Sequence, residues 1–364
     1  MNVVMLRGTL ADADARLSKE RRALERAGHD VHVIDWDFSG AGSGPGIGVT
    51  RYARRVARGT WALAPALPGW WRFIRRALAT RDWDVVHACD LDTLPAAVAA
   101  ARRSEGLVVH DVFDYYPDML AGQVPRVADL AMRAWYRRLL ARVDGLVIAD
   151  EARAFQVAPR TPDAVVMNTP EDLGPPGPPR RRDGPLRVFY AGALVRARGL
   201  FTLLDAVASR ADVDLVLAGY GRDERAVEAR ASSLPNARFL GRIPYEEVLD
   251  QSRAADVLVA FYDPASPNNR LASPNKLYEA MMLGKPLVTN DGTLAAARVR
   301  HHDAGLVVPF GDAASLGAAL DRLMRDPSRA GELGTNGRRA YEKAYAWSTM
   351  EARLVDLYAR LEGA

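Results

Sequence analysis

The pattern that most constrains this chain is an alternation of short β-branched runs with helix-length amphipathic segments, stated twice. Residues 2–6 (NVVML), 31–35 (VHVID), 84–88 (DVVHA), 107–109 and 145–150 (GLVIAD) read as strands. Between them, helices are expected over about 13–27, 95–103 and 127–141, and residues 163–169 (DAVVMNT) add a strand. The stretch 170–185 (PEDLGPPGPPRRRDGP) then holds six prolines and no periodicity, which reads as a linker. The alternation restarts with strands at 187–194, 214–221, 255–264 and 306–309, and a last helix is expected over 345–361. Strands spaced by helices build parallel sheets covered on both faces. The expected class is therefore α/β, with two Rossmann-like domains, 1–170 and 186–345, a linker at 171–185 and a terminal helix at 346–364.

Composition narrows the function classes. The chain has 364 residues, 26% charged, and one cysteine, Cys89, so an internal disulfide is excluded and a reducing compartment fits. Met1 runs straight into a strand and no apolar run reaches membrane-spanning length, so a cytoplasmic protein without a signal peptide is expected. The net charge of +4 is too small to argue for nucleic acid. Between Phe38 and Arg81 there are eight arginines and no acid, interleaved with Trp61, Trp70, Trp71 and Phe73. Such a mixture suits an anionic membrane surface, an acidic partner or stacked bases. It also suits an amphipathic helix pair whose aromatics form core, the reading placed first. Residues 38–48 (FSGAGSGPGIG) read as a flexible loop.

Arg270 to Asp291, RLASPNKLYEAMMLGKPLVTND, carries the densest chemistry. A Pro-Asn turn opens a short helix, Lys276 to Leu283, which Gly284 and Pro286 end. The start of a helix presents unbonded amides and a positive dipole end, which suit a phosphate, and Lys276 adds a full charge. Glu279 follows one turn on, placed to accept hydroxyl hydrogen bonds from a ribose. Only four of the 49 basic residues are lysines, and Lys276 and Lys285 both flank Glu279. A compact ammonium in an arginine-rich chain fits phosphate contact; a solvated surface helix is the bland alternative.

This stretch resembles the PNKlfEamaaGkPvv signature of retaining glycosyltransferases of family 4 with the GT-B fold. The resemblance implies a nucleotide diphosphate sugar, UDP- or GDP-linked, as donor, with no cofactor or metal. Glu279 would hold the ribose, and Lys276 the diphosphate, with Asn275 and Leu277 at the helix start. Many members carry a second Glu eight residues before this one; here that position is Leu271. Residues 187–199 (RVFYAGALVRARG) resemble the phosphate loop of the family, with Arg198 at its Lys and Ala193 at its Arg. Arg196 lies in the same loop, and the pair beside Gly192 makes a phosphate clamp on residue type alone. Gly219 and Gly221 match the family's glycine turn near the nucleotide. Arg242 and Ile243 fall where relatives read the base. The family's last helix crosses back to the N-terminal domain.

The first half resembles the family's acceptor domain. Gly8 ends the first strand. Asp14-Ala-Arg16 resembles the family's opening, so Arg16 either meets an anion in the cleft or forms an ion pair at the helix start. Residues 84–95 resemble DvvHaHdldtlp, with Cys89 at the second His. Asp90 and Asp92 lack a third metal ligand, so capping or acceptor contact is preferred to a metal. In the loop His110-Asp111-Val112-Phe113-Asp114, one register puts His110 at the family's His; the other, preferred, puts Phe113 there and leaves His110 a strand-end histidine with a backbone partner. Asp111 or Asp114 would orient or deprotonate an acceptor hydroxyl. The function expected is transfer of a sugar, with retention, to a lipid-linked, glycan or small-molecule acceptor. The protein would sit in the cytoplasm, with peripheral contact to the inner membrane face through 51–81. A sugar-nucleotide epimerase and a non-catalytic homologue are the alternatives.

Overall fold

The computed structural model describes residues 1–40, 46, 48–56, 63–175 and 184–363. Trp61, residues 41–45 and 47 of the glycine-rich loop, and linker residues 176–183 lie outside the described residues. The chain divides into two compact units, 1–167 with 350–364, and 168–349.

The first unit is a parallel sheet in the order β3-β2-β1-β4-β5-β6-β7. Its strands are β1 (Asn2–Arg7), β2 (Asp30–Asp37), β3 (Val49–Ala53), β4 (Val85–Cys89), β5 (Leu107–Val112), β6 (Gly145–Ile148) and β7 (Ala164–Val165). Strands buried on both faces are apolar at nearly every position, as Val3–Leu6 and Val85–Cys89 are. The connecting helices are α1 (Ala15–Arg26), α2 (Leu67–Leu78), α3 (Leu94–Ala101) and α4 (Arg126–Leu140). Helix α1 starts where the Asp14 carboxylate accepts the amides of Arg16 and Leu17, both at 3.1 Å.

The second unit is a parallel sheet in the order β10-β9-β8-β11-β12-β13. Its strands are β8 (Leu186–Ala193), β9 (Val213–Tyr220), β10 (Ala237–Phe239), β11 (Val257–Ala260), β12 (Leu287–Asn290) and β13 (Gly305–Val308). Its helices are α5 (Leu200–Val207), α6 (Glu224–Ser232), α7 (Tyr245–Ala254), α8 (Asn275–Met282), α9 (Leu294–His302), α10 (Ala313–Arg325) and α11 (Pro327–Ala340). The sequence alone gives no clear helix at α11, whose three glycines and polar residues weaken the periodic signal; Gly334 packs directly on the Gly284 carbonyl. Helix α12 (Trp347–Glu362) follows, and its residues from Met350 on pack into the first unit. There the Tyr358 hydroxyl is 2.8 Å from His87 Nδ1, and Glu351 takes the Arg26 guanidinium through both oxygens.

The basic-aromatic stretch packs Trp70 into the core, with Trp71 and Phe73 against it, as the reading placed first expects. Residues 49–53 (VTRYA) form the edge strand β3 in register with β2, Val33 opposite Val49. Trp70 on α2 is fully buried, with its ring centroid 5.3 Å from Trp36 and 5.7 Å from Tyr52. Trp70 is thus core and cannot reach a bilayer. Trp71 is half-buried and donates its indole N–H to the Asp92 carbonyl at 2.7 Å.

His110 and Asp111 are strand residues of β5 and are fully buried. His110 Nδ1 lies 2.9 Å from the Ala88 carbonyl, so that nitrogen donates, and Nε2 accepts from the Tyr136 hydroxyl at 2.7 Å.

Two outcomes are expected. Trp70→Ala should lower unfolding stability by about 3–5 kcal/mol through the cavity it leaves, measured by denaturant titration. Burial pushes the His110 imidazole down to about 4 from its ordinary 6.5. Between those pH values the unfolded chain binds more protons, so this stabilisation is complete above pH 6.5 and is lost as pH falls toward 4. The acid loss in the wild type should exceed that in His110→Gln by on the order of 3 kcal/mol; equal pH slopes in the two proteins would refute it.

Candidate active site

In a parallel sheet, ligands sit beyond the carboxyl ends of the strands, where the strand order reverses. In the second unit the reversal lies between β8 and β11. β8 ends at Gly192-Ala193, and the following turn carries Arg196–Arg198 before Gly199 opens α5. β9 ends alongside at Gly219-Tyr220, and Leu194 N–H bonds the Tyr220 carbonyl at 3.0 Å. Gly192 and Gly219 have φ of +149° and +141°. A Cβ on Gly192 would collide with Lys276 Nζ, and one on Gly219 would enter the Gly192 carbonyl. The backbone must therefore be bare where Lys276 lies across it. Gly221 packs on the backbone of Leu194.

Lys276 projects from the first turn of α8, its ammonium 5.3 Å from the Tyr190 ring centroid. The Tyr190 hydroxyl donates to the Ala193 carbonyl at 2.8 Å and ties the β8 turn. The Arg198 guanidinium lies 3.9 Å over the Tyr262 ring and donates to Asn269 Oδ1 at 3.0 Å. Arg196 stands 4.9 Å over Phe201, and Arg242 stands 4.8 Å over Tyr220. Among the described residues, no carboxylate forms an ion pair with Lys276, Arg196, Arg198 or Arg242. Elsewhere arginines commonly do, as Arg338 with Asp172 and Arg210 with Asp321. Cations resting on aromatic faces are held in place without being neutralised.

Glu279 lies one turn beyond Lys276, 5% exposed, and accepts the Tyr245 hydroxyl at 3.1 Å. Burial and the Glu279 charge push the Tyr245 phenol up, so it remains a donor. Pro274 caps α8 without a side-chain hydrogen bond, and half-buried Asn275 is the first helical residue. Leu277 is fully buried and its amide is bonded to the Pro274 carbonyl at 3.0 Å, so it packs the helix rather than offering a donor. Ile243 is half-buried before α7.

In the first unit the reversal lies between β1 and β4. Gly8 follows β1 and lies against the Asp92 carboxylate. Arg7 pairs with Asp90 and, at 2.7 Å, with Asp14. Asp90 has φ of +64°, and its Oδ1 accepts the amides of Phe113 and Asp114, both at 2.9 Å. Tyr116 donates to Asp92 Oδ1 at 2.8 Å. Neither aspartate caps α3, whose cap residue Thr93 makes no such bond. They join the loops that follow β1, β4 and β5. Burial, with Asp114 and Asp92 nearby, raises the Asp90 carboxyl to about 7 despite Arg7. Asp114 is half-buried on this loop, whereas His110 and Asp111 lie inside the sheet.

Arg16 takes the ion-pair role. It is 2% exposed and bonds Glu20 at 2.7 Å and both oxygens of Asp111 at 2.7 and 3.0 Å. Its guanidinium and that of Arg7 flank the Phe113 ring at 4.1 and 4.4 Å. Burial pushes Asp111 up, but Arg16 and His87 outweigh it and hold the carboxyl low. Glu20, His87 and Asp111 bring ligand-type atoms within 4.8 Å of one another. Arg16 already supplies the positive charge of that cluster, so the residues do not fit a metal centre.

The sequence reading missed Arg7, Tyr245, Tyr262 and Asn269. Arg7 directly precedes Gly8, and Tyr245 is the first residue of the helix after Arg242; nothing local marks Tyr262 or Asn269, which meet Arg198 only through the fold.

Residues 185–326 match the model for glycosyl transferases group 1, and residues 19–154 match that for glycosyltransferase family 4. A phosphatidyl-myo-inositol mannosyltransferase of Mycolicibacterium smegmatis is 25% identical over 361 residues, 94% of this chain and 88% of that protein. A GDP-mannose-dependent monoacylated alpha-(1-6)-phosphatidylinositol monomannoside mannosyltransferase of Corynebacterium glutamicum is 31% identical over 173 residues, 45% of this chain and 44% of its own. In fold, the chain is similar to sucrose-phosphate synthase from Thermosynechococcus elongatus, with a TM-score of 0.77 at 19% identity and 100% coverage of both chains. Two parallel Rossmann-like sheets, a cation-lined turn at β8 and family models that between them span both units lead to one assignment: this chain belongs to the family 4 glycosyltransferases of GT-B fold.

Proposed function

We propose that the chain transfers a hexose, mannose in the first instance, from a nucleoside diphosphate sugar to a hydroxyl of a lipid-linked acceptor. The observation that carries this reading is the group of cations without carboxylate partners around the β8 turn, with Glu279 buried one turn behind Lys276. The unit 168–349 binds the donor and the unit 1–167 the acceptor. Lys276, Arg198 and Arg196 take the diphosphate, with Arg242 near the base. Glu279 takes the ribose hydroxyls while Tyr245 fixes its carboxylate. As the glycosidic bond breaks, charge grows on the leaving diphosphate, and these preset cations stabilise it without a metal ion. Retention of configuration is what membership of this family supports. On the acceptor side Asp114 is the half-buried carboxylate of the β5 loop and the candidate contact to the acceptor hydroxyl.

A phosphatidylinositol-type acceptor is supported by the names of the relatives, and the surface of the first unit suits it. Arg72, Arg75 and Arg76 are exposed on α2. A groove of about 270 Å³ lies between α2 and α3, lined by Pro68, Trp71, Arg72, Arg75 and Pro95 among others. Val127, Leu130 and Trp135 are exposed on α4. Cationic and apolar side chains together suit an anionic lipid surface. No helix among the described residues is long and apolar enough to cross a membrane, so contact would be peripheral.

Thermal shift with UDP, GDP, ADP, dTDP and their sugars should show stabilisation by one nucleotide, about 2.7 kcal/mol at a hundred times Kd. Glu279→Ala should raise the donor KM roughly 10- to 100-fold. Lys276→Ala should lower kcat about 10²-fold or more with a smaller change in KM, and activity should persist in EDTA. Unchanged kinetics in both variants would overturn the site. Arg72→Glu with Arg75→Glu should abolish sedimentation with phosphatidylinositol-containing vesicles; undiminished binding would overturn the membrane reading.

A further inference from the structure

One cation beside the donor helix has no part in this scheme. Arg298, on α9, donates to Ser273 Oγ at 3.0 Å and to the Tyr278 hydroxyl. Those two hydroxyls are themselves 2.7 Å apart, so three groups close a ring of hydrogen bonds. The guanidinium also stands 5.7 Å from the Tyr278 centroid and 5.5 Å from that of Tyr345, two rings 5.1 Å apart. The Tyr345 hydroxyl is held in turn by His302 Nε2 at 2.8 Å. Tyr278 is fully buried on α8, so its place is already set by core packing. Ser273 is not. It belongs to residues 271–274, which form no regular element and lead into α8. Arg298 thus ties this short coil to the body of the unit.

The position of the coil gives it a role. A nucleoside diphosphate sugar is linear, with ribose, diphosphate and sugar in that order. Glu279 lies inside α8, Lys276 in its first turn, and 271–274 beyond its start. If ribose and diphosphate take the first two positions, the third group falls at the coil. We infer that Arg298 is a positioning residue that fixes coil 271–274 against the sugar of the donor; this rests on the donor reading above. A guanidinium fork serves two hydroxyl oxygens at once, which a lysine ammonium on a flexible stem does less well.

The test separates the sugar from the nucleotide. GDP and GDP-mannose, and UDP and UDP-glucose, are titrated calorimetrically into wild type, Arg298→Ala, Arg298→Lys and Ser273→Ala, with Tm and donor kinetics alongside. Arg298→Ala should lose about tenfold in affinity for the nucleotide sugar, with the bare nucleotide bound as in wild type and the donor KM raised in step. Arg298→Lys should recover part of the loss. Ser273→Ala, which removes one hydroxyl and leaves the rings packed, should show the same selective loss if Arg298→Ala does not fold. Equal weakening of nucleotide and nucleotide sugar, or no change in either, overturns the inference alone. A wild type that binds no nucleotide overturns the donor reading and this inference together.

Discussion

Parallel strands end together, and at the point where strand order reverses two neighbouring loops turn away from each other. Both units of this chain are subject to that constraint, between β1 and β4 in one and between β8 and β11 in the other. Neither crevice can be filled by a continuing strand, so loop side chains must settle it. Much of the polar chemistry described above gathers there for that reason: Arg7, Asp90 and Asp92 in the first unit, Arg196, Arg198 and Lys276 in the second.

The two units settle the crevice in opposite ways. The first neutralises its charges internally, with Arg7 on Asp14 and Asp90, and Arg16 on Glu20 and Asp111. Burying ions without partners is expensive, so such a network makes a firm floor with little net field. The second unit leaves its cations facing aromatic rings. Tyr190, Tyr262, Tyr220 and Phe201 orient them and add no negative charge. A site built this way keeps its positive potential for an incoming anion, and little must reorganise when negative charge develops.

Most of the architecture was legible because buried parallel strands announce themselves as apolar runs. Helix α8 was legible because Pro274, Asn275, Gly284 and Pro286 punctuate it locally. The failures have local causes too. VTRYA (49–53) is too short and too polar at Arg51 to stand out within an arginine-rich stretch, and its partner β2 decides its state. Trp70 and Trp71 meet the core expectation, one inside it and the other packed against it with its indole on a backbone carbonyl, a difference that residue type cannot tell. Asp111 reads as a loop residue in the sequence, whereas His110 also reads as a strand-end histidine with a backbone partner, which is what it is. Their partners Tyr136 and Arg16 lie 26 and 95 positions away, and only the fold brings them together. Glu279, Lys276 and Arg198 stand out in the sequence because motif spacing is itself local.

The packing of residues 350–362 into the first unit has a consequence for the order of assembly. A ribosome makes β1 more than three hundred residues before α12. Until α12 emerges, His87 lacks the Tyr358 hydroxyl, and the Leu357 side chain that lies against Gly145 is missing. The second unit is contiguous, 168–349, and has all its strands before that point. The nascent chain therefore holds every residue of its second unit before the first unit has its last helix.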